Sequence, residues 1–271
     1  MEFKDIRLFL FDMDGTLYLG EQLFDFTKDM LAAIRASGRE YRFLTNNSSR
    51  DVGAYVEKMA RLGVASVPED FITSAHATIH YLRQHHPGAR LYLCGTQALK
   101  HQFEDAGFSV PQDVENTDVI ALGLDTELTF RKLEDICKLL AAHPDMPYIA
   151  THPDLVCPTE FGSVPDCGSV IEMLEHATGK RPVVIGKPQP LIAELAMQSL
   201  GVTAAQTAVV GDRLYTDIAC GINAGTTSVL VLTGETTPEM LEKSDTKPDL
   251  VLQSGAEILE ALRKEAEQYG G

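Results

Sequence analysis

Apolar and polar positions alternate in blocks along the chain. Short continuous apolar runs predict buried strands, and longer segments with apolar residues every three to four positions predict helices. The predicted strands are residues 6–11, 41–44, 71–73, 90–94, 119–122, 148–151, 182–185, 207–210, 227–232 and 250–252. The predicted helices are residues 28–37, 52–62, 75–84, 97–106, 131–142, 169–178, 188–200 and 256–268. This alternation is typical of parallel sheets with helices on both faces, so we expect an α/β fold.

Composition limits the classes of partner. The 271 residues are 44% hydrophobic and 23% charged, as in an ordinary globular protein that buries a sizeable core. The formal net charge of −16 argues against nucleic acid or an anionic membrane as a partner, because both would be repelled. An anionic substrate would therefore need a local positive site to hold it.

Targeting signals and cysteine usage indicate a cellular compartment. Three of the first five residues are charged, and the segment leads directly into a predicted strand, so we expect no signal peptide. No apolar run approaches the roughly 18 residues of a membrane span. The five cysteines are an odd number without a C-x-x-C pair, which favours reduced thiols. We expect a cytoplasmic protein.

Polar residues follow four of the predicted strands. They are Asp12 and Asp14; Thr45, Asn46 and Asn47; Gly186 and Lys187; and Gly211 and Asp212, with Asp217 shortly after. Open α/β sheets bind ligands beyond the carboxyl ends of their strands, which is where these residues would lie.

The residue types at these strand ends indicate a phosphate site with a metal ion. Carboxylates gathered in one crevice repel each other unless a cation lies among them, and Mg2+ suits such oxygen ligands. A lysine and small hydrogen-bond donors beside the ion would bind a phosphoryl group. Taken alone, the D-x-D at 12–14 reads as a turn or helix cap, and Lys187 as a solvated lysine. Their shared position after predicted strands favours one common site.

The motif order resembles a known family. D-M-D-G-T (12–16), T-N-N (45–47), G-K-P (186–188) and G-D-R-L-Y-T-D (211–217) are similar to the four motifs of the haloacid dehalogenase superfamily. The resemblance implies a Rossmann-like core with a parallel sheet and helices on both faces. The second carboxylate, Asp14, implies phosphatases or phosphomutases within that superfamily.

Motif spacing indicates an inserted cap. About 140 residues separate Thr45 from Lys187, more than two or three βα units require. We expect an α/β cap domain of the C2 type at residues 80–180, and a discontinuous core at 1–79 and 181–271. This placement resembles the NagD-like class IIA branch, which includes 4-nitrophenyl phosphatases and sugar-phosphate phosphatases.

The resemblance implies a role for each motif residue. Asp12 is the nucleophile that forms an aspartyl-phosphate, and Asp14 is the general acid and then the base. Phosphate contacts come from Thr45, Asn46, Asn47 and Lys187. Mg2+ is held by the Asp12 carboxylate, the Asp14 backbone carbonyl and the Asp212 carboxylate, and Asp217 orders metal-bound water. The implied reaction is hydrolysis of small phosphomonoesters, including sugar phosphates and nucleoside monophosphates.

The segment 157–170, CPTEFGSVPDCGSV, is implied to be a cap loop that contacts the leaving group, with Asp166 and Cys167 as the candidates. The resemblance also implies a homodimer through the cap. Two alternatives stay open: a phosphomutase, which the cap position disfavours, and a catalytically silent regulatory or binding protein on the same scaffold. The sequence does not identify the physiological alcohol.

Overall fold

The computed structural model describes residues 3–159 and 161–269. Its strands are β1 Leu8–Phe11, β2 Tyr18–Leu19, β3 Gln22–Leu23, β4 Glu40–Thr45, β5 Phe71–Thr73, β6 Leu91–Cys94, β7 Val119–Leu122, β8 Tyr148–Ala150, β9 Val156–Thr159, β10 Gly162–Pro165, β11 Val183–Val184, β12 Thr207–Gly211, β13 Thr227–Val231 and β14 Leu250–Leu252. Its α-helices are α1 Thr27–Ala36, α2 Val52–Arg61, α3 Ser74–His85, α4 Gln97–Asp105, α5 Phe130–Ala142, α6 Cys167–Thr178, α7 Leu191–Leu200, α8 Ala219–Asn223, α9 Pro238–Lys243 and α10 Ala256–Tyr269.

The larger of the two parallel sheets has six strands, in the order β14-β13-β12-β1-β4-β5. Its central strand β1 pairs in parallel with β12 on one side and β4 on the other. All four residues of β1 are fully buried, as expected for a strand covered on both faces. The predicted Rossmann-like α/β fold is confirmed.

A second, four-stranded parallel sheet has the order β11-β8-β7-β6. Alternate residues of its strands belong to two separate apolar clusters, one packed with α3 and α4 and the other with α5 and α6. Side chains alternate across a strand, so this sheet is buried by helices on both faces. A separate hairpin, β9–β10, is antiparallel.

Contacts divide the chain into two compact units. The core unit contains the residues up to Thr45, Val56–Ile72 and the residues from Lys187 onward, and the second unit contains Asn46–Tyr55 and Thr73–Gly186. The sequence predicts a core domain at 1–79 and 181–271 and a cap domain at 80–180. These domain bounds stay a prediction. In the contact-based division the short segment after β4 belongs with the second unit.

Every strand and helix predicted from periodicity is present within a few residues. The helix predicted for 188–200 begins later, at Leu191, after the proline-containing turn. The short elements β2, β3, β9, β10, α8 and α9 were not predicted, because segments of two to six residues give only a weak periodic signal. Among the described residues, no helix combines the length and apolar character needed to cross a membrane.

Candidate active site

Three carboxylates meet in the core unit at the carboxyl ends of β1 and β12. Asp12 follows β1 and Asp212 follows β12, and the two strands pair in register through Phe11 and Val210. Asp217 lies in a π-helical turn, Leu214–Ile218, that begins just after β12. One oxygen from each of the three carboxylates lies within 4.8 Å of the others. The parallel register therefore brings two separate sequence motifs to one point.

Lys187 supplies positive charge to this cluster. Its ammonium donates hydrogen bonds to Asp12 Oδ1 at 2.7 Å and to Asp217 Oδ1 at 2.6 Å, and lies 3.5 Å from the Leu44 carbonyl oxygen. The side chain is only 3% exposed. Burial lowers the pKa of Lys187, but Asp12 and Asp217 raise it by more, so the net pKa lies above its ordinary value. Lys187 therefore stays charged and holds Asp12 in place.

Glycines allow the backbone to approach two of the carboxylates. A Cβ on Gly15 would lie 2.6 Å from Asp212 Oδ2, and one on Gly234 would lie 2.0 Å from the same atom. A Cβ on Gly211 would lie 2.3 Å from the Asp217 Cβ. Gly15 also has φ +84°, a conformation that disfavours other residues. The turn after Asp14 therefore needs glycine for both space and conformation.

Further hydrogen bonds orient Asp212. Its Oδ2 accepts from the Glu235 backbone N–H at 2.6 Å, and its Oδ1 lies 3.4 Å from the Thr16 hydroxyl. Burial, and next the charge of Asp217, raise the pKa of Asp212 to about 6. Burial and then Asp217 also raise the pKa of Asp12 well above its ordinary value, although Lys187 lowers it. The single positive charge of Lys187 therefore does not balance the negative charge of Asp12, Asp212 and Asp217.

This donor set fits a divalent cation. Clustered buried carboxylates with raised pKa values are stabilised by a metal ion, and oxygen ligands are those that Mg2+ accepts. The carboxylates of Asp12 and Asp212 would hold it. Both Asp217 oxygens already accept hydrogen bonds, from Lys187 and from the Arg213 backbone N–H at 3.1 Å. Asp217 therefore holds the Lys187 ammonium in place, and its ordering of metal-bound water stays a prediction.

Asp14 lies two residues beyond Asp12 and is partly exposed. Burial raises its pKa, partly opposed by the charge of Lys58 and of Arg213. A carboxyl group with a raised pKa retains its proton closer to neutral pH, as a general acid requires. Lys58 and Arg213 were not predicted as site residues. Arg213 lies inside the G-D-R-L-Y-T-D motif, whereas nothing in the sequence distinguishes Lys58 on α2 from a surface lysine.

The T-N-N motif is divided between the two units. Thr45 is the buried last residue of β4 in the core unit. Asn46 belongs to the second unit, where its amide Nδ2 donates to Asp154 Oδ1 at 3.3 Å. Asn47 accepts hydrogen bonds from the Ser49 backbone N–H and hydroxyl. Phosphate binding by Asn46 and Asn47 stays a prediction.

The segment 157–170 is more regular than the predicted loop. It contains most of β9, all of β10 and the first turns of α6. Asp166 is the N-cap of α6, accepting from the Cys167 N–H at 2.5 Å, and Cys167 is fully buried. Both candidates therefore have structural roles, and contact with a leaving group stays a prediction. Among the described cysteines, all five are free thiols.

Comparison with known proteins identifies the family. The model of the family described as haloacid dehalogenase-like hydrolase matches residues 9–109, and one described as HAD-hydrolase-like matches residues 184–258. An acid sugar phosphatase of Staphylococcus aureus is 32% identical over 261 residues, covering 96% of this chain and all of the relative. The chain belongs to the haloacid dehalogenase superfamily.

Solved structures agree with this assignment. The 4-nitrophenylphosphatase from Thermotoga maritima is 41% identical, with a TM-score of 0.91 over 96% of this chain and 98% of the other. A glycerol phosphate phosphatase from Mycobacterium tuberculosis, solved in complex with calcium, is 30% identical, with a TM-score of 0.86 over 94% of this chain and 75% of the other. This haloacid dehalogenase superfamily member is a phosphatase, a phosphoric monoester hydrolase of the NagD-like type.

Proposed function

We propose that this phosphatase uses Mg2+ to hydrolyse small phosphomonoesters through an aspartyl-phosphate formed on Asp12. The observation that carries the proposal is the buried Lys187, which bonds to Asp12 at 2.7 Å while Asp212 lies in the same cluster. A carboxylate held by a buried lysine at the end of a parallel strand is positioned to act as a nucleophile. The relatives named as sugar and nitrophenyl phosphatases support the same reaction class.

In the first half-reaction, an Asp12 carboxylate oxygen forms a bond to phosphorus while the bond from phosphorus to the ester oxygen breaks. Asp14 donates its proton to the departing alcohol oxygen. In the second half-reaction, Asp14 takes a proton from water, whose oxygen bonds to phosphorus and releases Asp12 and inorganic phosphate. Lys187 lowers the pKa of Asp12, which favours the ionised form that attacks, and balances the charge on the transferring group.

The Asp12 and Asp212 carboxylates and the Asp14 backbone carbonyl would hold Mg2+. When bound, the ion would supply positive charge to the phosphoryl oxygens and to the cluster. Thr45, Asn46 and Asn47 are the proposed hydrogen-bond donors to those oxygens. Sugar phosphates come first as candidate substrates, because the relatives include an acid sugar phosphatase. A homodimer stays a prediction.

The test is 4-nitrophenyl phosphate hydrolysis by the wild-type protein and by Asp12→Asn, with Mg2+ and with EDTA. We expect Asp12→Asn to lower kcat by about 10⁴-fold or more, because the amide is not a nucleophile. Asp25→Asn, the same change at an exposed position of the core unit, should keep wild-type activity. Substantial activity in folded Asp12→Asn would refute the nucleophile assignment.

A substrate panel distinguishes the alternatives. Release of inorganic phosphate from sugar phosphates and nucleoside monophosphates supports hydrolysis, whereas conversion to an isomeric phosphate without release indicates a phosphomutase. With 4-nitrophenyl phosphate, whose phenolate leaves without needing a proton, Asp14→Asn should accumulate a protein with the mass of one added phosphoryl group, because water attack loses its base. A folded wild-type protein that releases no phosphate with Mg2+ would favour the silent binding protein.

A further inference from the structure

A histidine in the second unit is buried without a hydrogen-bond partner for either ring nitrogen. His152 follows β8 by two residues and is 0% exposed. Neither Nδ1 nor Nε2 makes a hydrogen bond. A buried polar group normally has a hydrogen-bond partner, because a group left without one destabilises the fold. At least one nitrogen of His152 is therefore available to a ligand.

Two buried carboxylates face this ring. Asp154 Oδ2 lies 3.8 Å from Nδ1, and Asp166 Oδ1 lies 3.6 Å from Nε2. Both distances exceed those of a normal hydrogen bond. Asp154 and Asp166 are 6% and 4% exposed, so all three side chains lie inside the unit. One ligand atom from each residue lies within 4.8 Å of the others.

The surrounding contacts hold this cluster together. Asp154 Oδ1 accepts from the Asn46 amide at 3.3 Å, and Asp166 Oδ1 accepts from the Cys167 N–H at 2.5 Å. A Cβ on Gly168 would lie 2.1 Å from the Pro153 carbonyl oxygen, so only glycine lets the first turn of α6 pack against residues 153–154. The three side chains come from segments that pack closely, as a binding site requires.

The residue types of the cluster favour a divalent cation. Carboxylate oxygens and imidazole nitrogens are both metal ligands, and His152, Asp154 and Asp166 each offer one such atom. An imidazole binds a metal ion through one ring nitrogen, and neither nitrogen of His152 is occupied by a hydrogen bond.

We propose that His152, Asp154 and Asp166 bind a divalent transition-metal ion such as Zn2+. The imidazole nitrogen favours zinc or a similar ion over Mg2+ and Ca2+, which prefer oxygen ligands. Zinc takes histidine and carboxylate ligands at about 2.0–2.2 Å, so binding would draw the three ligand atoms closer together. The next residue, Leu155, is 45% exposed, which places solvent one residue from the cluster.

This site goes beyond the proposed function, because it uses none of the core-unit carboxylates. The site could still affect the proposed phosphatase reaction through a hydrogen bond. Asp154 bonds the amide of Asn46, the proposed phosphate ligand, within the same unit. A metal on Asp154 would therefore fix the orientation of Asn46 without entering the chemistry.

The test measures zinc binding by titration calorimetry in Asp212→Asn, a background chosen to weaken the core carboxylate cluster. We expect about one zinc per chain in this background. Both His152→Gln and Asp166→Asn, added singly, should weaken binding by about 10-fold or more, because each removes a ligand. Asn at 166 can still cap α6, so this second variant keeps the local fold. Asp145→Asn, at an exposed position of the same unit, is the matched control and should leave zinc binding unchanged.

Thermal unfolding gives a second readout that does not depend on activity. Zinc at about a hundred times its Kd should raise the Tm of Asp212→Asn by about 5 °C or more, and this rise should be lost in Asp166→Asn. The absence of zinc binding in Asp212→Asn would overturn the proposal. So would an affinity and stoichiometry that both cluster variants leave unchanged, since the bound zinc would then lie elsewhere. Failure here would leave the Asp12 hypothesis intact, because that hypothesis is tested separately by the loss of kcat in Asp12→Asn.

Discussion

Replacement of Lys187 by methionine tests the electrostatic account of the core site most directly. The Lys187 side chain is 3% exposed and donates two short hydrogen bonds, to Asp12 and Asp217. Methionine has a similar length and is apolar, so Lys187→Met removes the charge with little change in packing. The variant leaves the three carboxylates of the cluster without their cation.

The expected loss of unfolding free energy follows from the two hydrogen bonds that Lys187 donates. A charge-assisted hydrogen bond contributes about 1.5–3 kcal/mol, and removal of one partner of a buried ion pair costs about 3–5 kcal/mol. We therefore expect Lys187→Met to lower the free energy of unfolding by about 3–5 kcal/mol at pH 8 in EDTA. Bound Mg2+ should reduce that loss, because it replaces part of the missing positive charge.

The destabilisation caused by Lys187→Met should depend on pH, and the direction of this dependence follows from the pKa of Asp12. The pKa of Asp12 is already raised by burial and Asp217, and Lys187 is the group that lowers it. Without Lys187 this pKa rises further, so the folded variant binds a proton more tightly than the unfolded chain does. The proton stabilises the folded variant at low pH, and this stabilisation is lost as pH rises through the folded pKa. The destabilisation relative to wild type is therefore smaller at pH 5 than at pH 8.

The assay is urea unfolding at both pH values in EDTA. Lys243→Met, the same change at an exposed position of the core unit, should shift the free energy of unfolding by less than about 0.5 kcal/mol. In the double variant Asp12→Asn with Lys187→Met, the loss should be smaller than the sum of the two single losses, because one buried charge has gone with its partner. A loss below about 1 kcal/mol at pH 8, or one that is equal at both pH values, would refute the reasoning.

Three further predictions concern the metal site. Gly15→Ala should weaken Mg2+ affinity by about 10-fold or more, measured by calorimetry, because its Cβ would lie 2.6 Å from Asp212 Oδ2. The control is Gly20→Ala, because Gly20 also has a positive φ but a Cβ there would have no atom within 4 Å. This control should lose only about 1 kcal/mol of stability and no Mg2+ affinity. Equal effects of the two substitutions on Mg2+ affinity would contradict this account. Since the pKa of Asp212 is about 6, Mg2+ affinity should rise about 5-fold between pH 5 and pH 6 and level off above about pH 7. In EDTA, the raised pKa of Asp212 should contribute up to about 3 kcal/mol of folding stability below about pH 4. This contribution is lost as pH rises past 6, and urea unfolding midpoints measured across this range would show or exclude the trend.

Local patterns in the sequence determined the elements and the motif positions. The run Leu8–Phe11 is apolar throughout and forms the fully buried central strand β1. Asp12 and Asp14 follow it, and the predicted strand before Asp212 is its parallel neighbour β12. These predictions succeeded because strand periodicity and the strand-end position of a ligand site depend on residues close together in the chain.

Contacts between distant residues needed the tertiary structure. The bond from Lys187 to Asp217 joins residues 30 positions apart, and no local pattern in the sequence predicts it. The hairpin β9–β10 was expected to be an irregular loop, because four-residue strands rich in glycine and proline have no clear period.

The His152 cluster shows the same limit. His152 and Asp166 are 14 residues apart, on either side of a hairpin, and nothing in the sequence indicates that they face each other. The sequence states which groups can ionise or bind a metal. Only the fold decides which of them share a buried volume, and burial and distance then determine their charge, their pKa values and their partners.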